Sequence, residues 1–220
     1  MVAPQHTPKA FDLYLTQWST LHGNALPTFV IRAWLRLAFW TSTPFLRMTP
    51  NAISLCGAVI SFGAIFLTPQ HNVVAGCVIF IVGLIDSIDG VVATRTNRIS
   101  VRGAFVDALV DRWVDVAIGL ILVRIGAPIL LVFTGLVLTL VLEYMRARAQ
   151  GLGVDEVGVI SVAEKPTRIM IGTLVLIFDG ASIHLPFHDA DWASLGATAW
   201  VVLAAIGAIQ VFAAMRSRLK

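Results

Sequence analysis

Apolar positions in this chain gather into long runs, not the short amphipathic periods of a water-soluble domain. About six runs approach the ~20 residues that a helix needs to cross a bilayer. They fall at approximately 51–68, 73–96, 103–124, 127–147, 167–183 and 193–215. Turn-forming residues separate them: Thr68-Pro69, Gly126-Ala127-Pro128, and the polar stretch DGASIHLPFHDADW after the fifth run. Ahead of the first run, residues 28–46 are apolar but carry Arg32 and Arg36. Four apart, these share one helical face, which predicts an amphipathic helix on the membrane surface. Thr49-Pro50 then reads as a helix start, with Thr49 as N-cap and Pro50 at the first helical position. Residues 1–27 are polar and mixed, without a continuous apolar core, so no cleavable signal peptide is expected. The expected fold is an all-α membrane protein with about six transmembrane helices. Residues 1–48 form a polar segment and juxtamembrane helix, and residues 49–220 form the membrane domain.

Composition agrees with this pattern. Of 220 residues, 57% are hydrophobic and 13% charged, against ~45–50% and ~25% in an average soluble domain. That excludes disorder and makes a nucleic-acid partner unexpected. The net charge of +3 matters less than where the cations lie. One set of loops holds Arg47; Arg95, Arg98 and Arg102; Arg146, Arg148, Lys165 and Arg168; and Arg216, Arg218 and Lys220, whereas the opposite set holds Arg124. The positive-inside rule then places both termini and the basic face on the cytoplasmic side of the plasma membrane. Cys56 and Cys77 lie inside apolar runs and read as buried free thiols. The histidines, His6, His22, His71, His184 and His188, are scattered and receive no chemistry.

Five carboxylates stand in or beside the second and third runs: Asp86, Asp89, Asp107, Asp111 and Asp115. A charge at the bilayer centre costs ~2.5–3.5 kcal/mol on insertion scales. Asp86 and Asp89 are three apart, and Asp107, Asp111 and Asp115 four apart, so each set makes an acidic helix stripe. Facing stripes repel unless cations sit between them. Hard oxygen donors without nearby His or Cys suit Mg²⁺, Mn²⁺ or Ca²⁺. For Asp115, one turn beyond the others, a structural ion pair is an equal alternative.

The stretch Asp86–Asp111, DSIDGVVATRTNRISVRGAFVDALVD, resembles the signature of CDP-alcohol phosphotransferases, D-x2-D-G-x2-A-R-x8-G-x3-D-x3-D. Asp86, Asp89, Gly90, Ala93, Gly103, Asp107 and Asp111 match in register. Thr94 stands where the family has arginine, with Arg95 and Arg98 as nearby substitutes. Pro50-Asn51 is similar to the family's opening of its first span. Glu143–Ala149 (EYMRARA) and Glu164–Arg168 (EKPTR) are similar to the actinobacterial phosphatidylinositol-phosphate synthase branch, with Glu143 and Arg146 replacing a serine and a lysine.

The resemblance implies transfer of a phosphatidyl group from CDP-diacylglycerol to a phosphorylated polyol, with release of CMP. Inositol phosphate is favoured, and glycerol 3-phosphate is the alternative. It implies two Mg²⁺ or Mn²⁺ ions on Asp86, Asp89, Asp107 and Asp111, with Asp111 also the catalytic base. Asn51, Ser54, Gly90, Ala93, Thr94 and Ser100 would receive the CDP-lipid, and Arg146, Arg148 and Arg168 the acceptor's phosphate. A homodimer among membrane lipids is expected. The rival is a divalent-cation transporter built on the same acids. A carrier calls for mid-membrane acids and paired broken helices, whereas these acids lie beside a basic loop.

Overall fold

The computed structural model describes residues 8–21, 27, 29–153, 161–183 and 191–218. His6, His22, His184, His188 and Lys220, and the side chain of Arg218, lie outside the described residues. The described chain is helical: α1 Pro8–Leu21, α2 Phe29–Thr41, a 3-10 turn Thr43–Phe45, α3 Pro50–Ile65, α4 Asn72–Arg95, α5 Val101–Arg124, α6 Ile129–Gly151, α7 Lys165–Gly180 and α8 Trp192–Arg218. The helices α3 to α8 follow the six expected runs. Three of them, α4, α6 and α8, are long and apolar enough to cross a membrane, with mean hydropathies of 2.0, 1.9 and 2.0. The others fall short for physical reasons. At 16 residues, α3 is about 24 Å long, below the ~30 Å hydrocarbon core. Helix α5 is long enough but carries Asp107, Asp111, Arg112 and Asp115, and α7 has only 16 residues. The molecule is an integral, multi-pass helical membrane protein.

Two compact units divide the chain: residues 1–56 with 84–107, and residues 57–83 with 108–220. In the first, Phe11 and Tyr14 of α1 meet Leu35, Ala38 and Phe39 of α2 and Val91 of α4 in one buried cluster. The Phe11 and Phe39 rings meet edge-on at 5.4 Å. A second cluster joins Ile53 of α3 to Ile88 and Val92 of α4. Helix α1 occupies part of the segment expected to be merely polar. Its Phe11, Tyr14 and Trp18 recur at helical spacing and cover α2, which outweighs the polar residues between them. On α2, Arg32 and Arg36 are exposed beside an exposed apolar row of Phe29, Leu37 and Trp40.

In the second unit α8 packs on α6 and α7. Trp200 is buried, donates to Thr139 Oγ1 at 3.0 Å, and lies so close to Gly135 that an added Cβ would sit 3.3 Å from its ring. A side chain there would displace the indole, so the absent Cβ is what lets the two helices approach. Helix α5 ends at Gly126, whose φ of +113° suits a left-handed cap, with Ala127 N–H donating back to Leu122 O at 2.9 Å.

The cysteines differ from expectation. Both are free, but both are exposed. Thiols in apolar runs need not face the protein interior, because in a membrane helix the outer face is apolar as well.

Candidate metal centre and its surroundings

Short-range turn chemistry brings the acidic helices together. Helix α4 stops at Asn97, which adopts φ 54°, a conformation that asparagine tolerates. Arg98 N–H closes the turn on Ala93 O at 2.8 Å. Helix α5 restarts at once, because Ser100 is its cap: its Oγ accepts from Gly103 N–H at 3.0 Å, and its carbonyl accepts from Ala104 N–H at 3.0 Å. The Ser100 hydroxyl, expected to face a ligand, therefore serves as a cap. A Cβ on Gly103 would lie 3.1 Å from Ser100 Oγ and 3.5 Å from Asn51 Oδ1, so glycine leaves room for both polar groups.

This turn sets Asp86 and Asp89 of α4 beside Asp107 of α5. One carboxylate oxygen from each lies within 4.8 Å of the other two. Asp89 is buried, and the other two are partly exposed. Three hard oxygen donors this close make a set that could hold a divalent cation. Ser54 Oγ donates to Asp89 Oδ2. Ser54, expected as a contact of the CDP-lipid, holds the Asp89 carboxylate. Next to the cluster, a Cβ built on Gly90 would meet nothing within 4 Å. Thr94 Oγ1 donates back to Gly90 O at 2.9 Å.

The two candidate substitutes for the family's arginine are placed differently. Arg95 Nη1 donates to Phe39 O at 2.9 Å and Ser42 Oγ at 2.8 Å, and its guanidinium lies 4.3 Å from the centre of the Phe39 ring. It is a strut between α4 and the end of α2. Arg98 is exposed and donates to Met48 O at 3.2 Å.

The second unit holds an alternating ionic network. Asp111 accepts from Lys165 Nζ and lies 3.7 Å from Arg112. Arg112 also lies 3.5 Å from Asp115 and 3.6 Å from Glu143. Arg168 is buried; its Nε donates to Asp115 Oδ1 at 2.7 Å, and its Nη1 donates to Ala163 O. Asp115 thus takes the structural pairing role. Arg146 meets Glu143 at 3.5 Å, Ser161 Oγ at 3.2 Å and both oxygens of Glu164. Glu164 also accepts from Ser161 N–H at 2.8 Å. Burial would push the Glu164 carboxyl upward, but the Arg146 and Ser161 hydrogen bonds and the Arg146 charge outweigh it, so it is held below its usual value. Arg148 is exposed. The arginines expected to share an acceptor phosphate therefore differ: Arg146 and Arg168 hold internal carboxylates, and Arg148 faces outward. Sequence reasoning missed the Lys165–Asp111 pair, whose partners stand 54 positions apart.

Comparison with known proteins agrees with this chemistry. The family described as CDP-alcohol phosphatidyltransferase matches residues 47–210. An archaetidylinositol phosphate synthase of Methanothermobacter thermautotrophicus is 33% identical over 171 residues, 74% of this chain and 78% of that one. A phosphatidylinositol phosphate synthase of Mycolicibacterium smegmatis is 34% identical over 168 residues, 72% of each chain. The crystal structure of Mycobacterium tuberculosis phosphatidylinositol phosphate synthase with CDP-DAG bound is similar at a TM-score of 0.61 and 25% identity, covering 82% of this chain and 94% of that one.

Proposed function

The chain belongs to the CDP-alcohol phosphatidyltransferase family, and from that premise we propose that it moves a phosphatidyl group from CDP-diacylglycerol to inositol phosphate, releasing CMP. Membership in an enzyme family decides against the cation-carrier reading. The observation that carries the proposal is the meeting of Asp86, Asp89 and Asp107. The relatives named as archaetidylinositol and phosphatidylinositol phosphate synthases favour that acceptor over glycerol 3-phosphate.

The donor set fits Mg²⁺ or Mn²⁺, because it is all carboxylate oxygen with one member already oriented by Ser54. Asp86, Asp89 and Asp107 would hold the first ion, and Asp111 would join them around a second. When bound, such ions neutralise a diphosphate and stabilise the leaving phosphate. The open side of Gly90, with Ala93, would admit the cytidine, and Asn51 and Thr94 supply polar edges beside it. Asp111 would accept the proton of the acceptor hydroxyl, and its pairing with Lys165 aims the carboxylate until the acceptor arrives. Arg148 is the outward cation for the acceptor's phosphate. To join it, Arg146 and Arg168 would exchange Glu164 and Asp115 for the phosphate. Six spans with both termini and the site on the cytoplasmic side of the plasma membrane, an α2 helix on its surface, and a homodimer complete the reading.

The test is CMP release from labelled CDP-diacylglycerol in the presence of inositol phosphate. Activity should vanish in chelator and return with Mg²⁺ or Mn²⁺. Full activity in chelator would overturn the metal reading.

A further inference from the structure

Helix α4 carries two opposed stripes. Ser87, Val91 and Arg95 are spaced four apart and share one face. Asp86, Asp89 and Ala93 lie roughly 180° around the helix from them at 3.6 residues per turn. The first stripe is docked along its whole length. Ser87 Oγ accepts from Trp34 Nε1 of α2 at 2.8 Å. Val91 is buried with Leu35, Ala38 and Phe39. Arg95 is tied to Phe39 O and Ser42.

We propose that Trp34 is a positioning residue for the metal centre: through Ser87 it fixes the rotation of α4 about its own axis, and so the aim of Asp86 and Asp89. This rests on the metal reading above. Apolar contact at Val91 is non-directional and tolerates rotation. The polar contacts at Ser87 and Arg95 are directional, and Ser87 stands between the two acids in sequence. At the rim of a helix about 10–12 Å wide, a rotation of roughly 20° moves a side-chain tip by about 2 Å. Metal–ligand distances hold only within about ±0.2 Å. A slip on the docked face is matched by an equal one on the opposite face, where a metal ligand tolerates far less. The N-terminal helices, which precede the matched family region, thereby become part of the catalytic apparatus.

The experiment measures Mn²⁺ binding to the full-length protein in detergent by electron paramagnetic resonance. Trp34→Phe keeps the ring and removes the N–H; Ser87→Ala removes the acceptor. Each should weaken Mn²⁺ binding by roughly 2- to 10-fold, the worth of one hydrogen bond. The double variant should lose no more than either single one, and Trp40→Phe, on the exposed side of α2, should bind as wild type does. Unchanged Mn²⁺ affinity in Trp34→Phe and Ser87→Ala, or additive losses in the double variant, would overturn the proposal while leaving the metal reading intact. A wild-type protein that binds no Mn²⁺ would overturn both.

Discussion

Asp89 shows how much one side chain depends on its neighbours. Its carboxylate is buried, accepts from Ser54 and lies beside Asp86 and Asp107. Replacing Asp86, Asp89 or Asp107 by Asn keeps the shape and removes the charge that a cation would need. Each variant should insert normally and lose CMP release, as measured with labelled CDP-diacylglycerol. Ser54→Ala should instead leave an active enzyme whose half-saturating Mn²⁺ concentration rises about 10- to 100-fold, the usual cost of losing an outer partner of a metal ligand. The acids themselves were legible because seven motif positions fall within one short stretch. Ser54 was legible only as a polar residue near the site, because its partner lies 35 positions away. The cap role of Ser100 was readable in principle, since a serine before an apolar helical run is a start signal.

Among the elements, α7 depends most on what precedes it. The segment 161–164 is pinned by Arg146 from α6, by Arg168 from α7 and, through Val162 N–H, by Gln210 of α8 at 3.2 Å. That pinning places Lys165 on Asp111. The Glu164 carboxyl is depressed, so its contribution to stability is fully present above the ordinary glutamate range, near 4.3. It is lost as pH falls through the lower folded value. The melting temperature of the wild type should therefore hold steady from pH 7 to 5 in this respect and fall in stronger acid. Glu164→Gln should already be less stable at pH 7, by about 1–3 kcal/mol, and should flatten that acid dependence in a detergent melting series. The periodicity of α3 to α8 was legible from apolar runs and their Pro and Gly breaks. Helix α1 was not, because its apolar residues are interleaved with nearly as many polar ones and become informative only when α2 is there to cover them.

For the whole molecule, hydropathy identified a helical membrane protein, but it could not distinguish a lipid-facing thiol from a buried one at Cys56 or Cys77. Nor could it show that most of the basic side chains near the second acidic stripe already hold carboxylates. Those pairings are long-range and leave no local spacing to read. The central claim joins one metal site to one acceptor class. Its most direct test supplies purified protein, Mg²⁺ and CDP-diacylglycerol with inositol phosphate, free inositol or glycerol 3-phosphate in turn, and follows the lipid product. The account predicts a phosphorylated inositol lipid and CMP in equal amounts from inositol phosphate, with far less product from the other two. Equal turnover of free inositol, or preferential turnover of glycerol 3-phosphate, would contradict it.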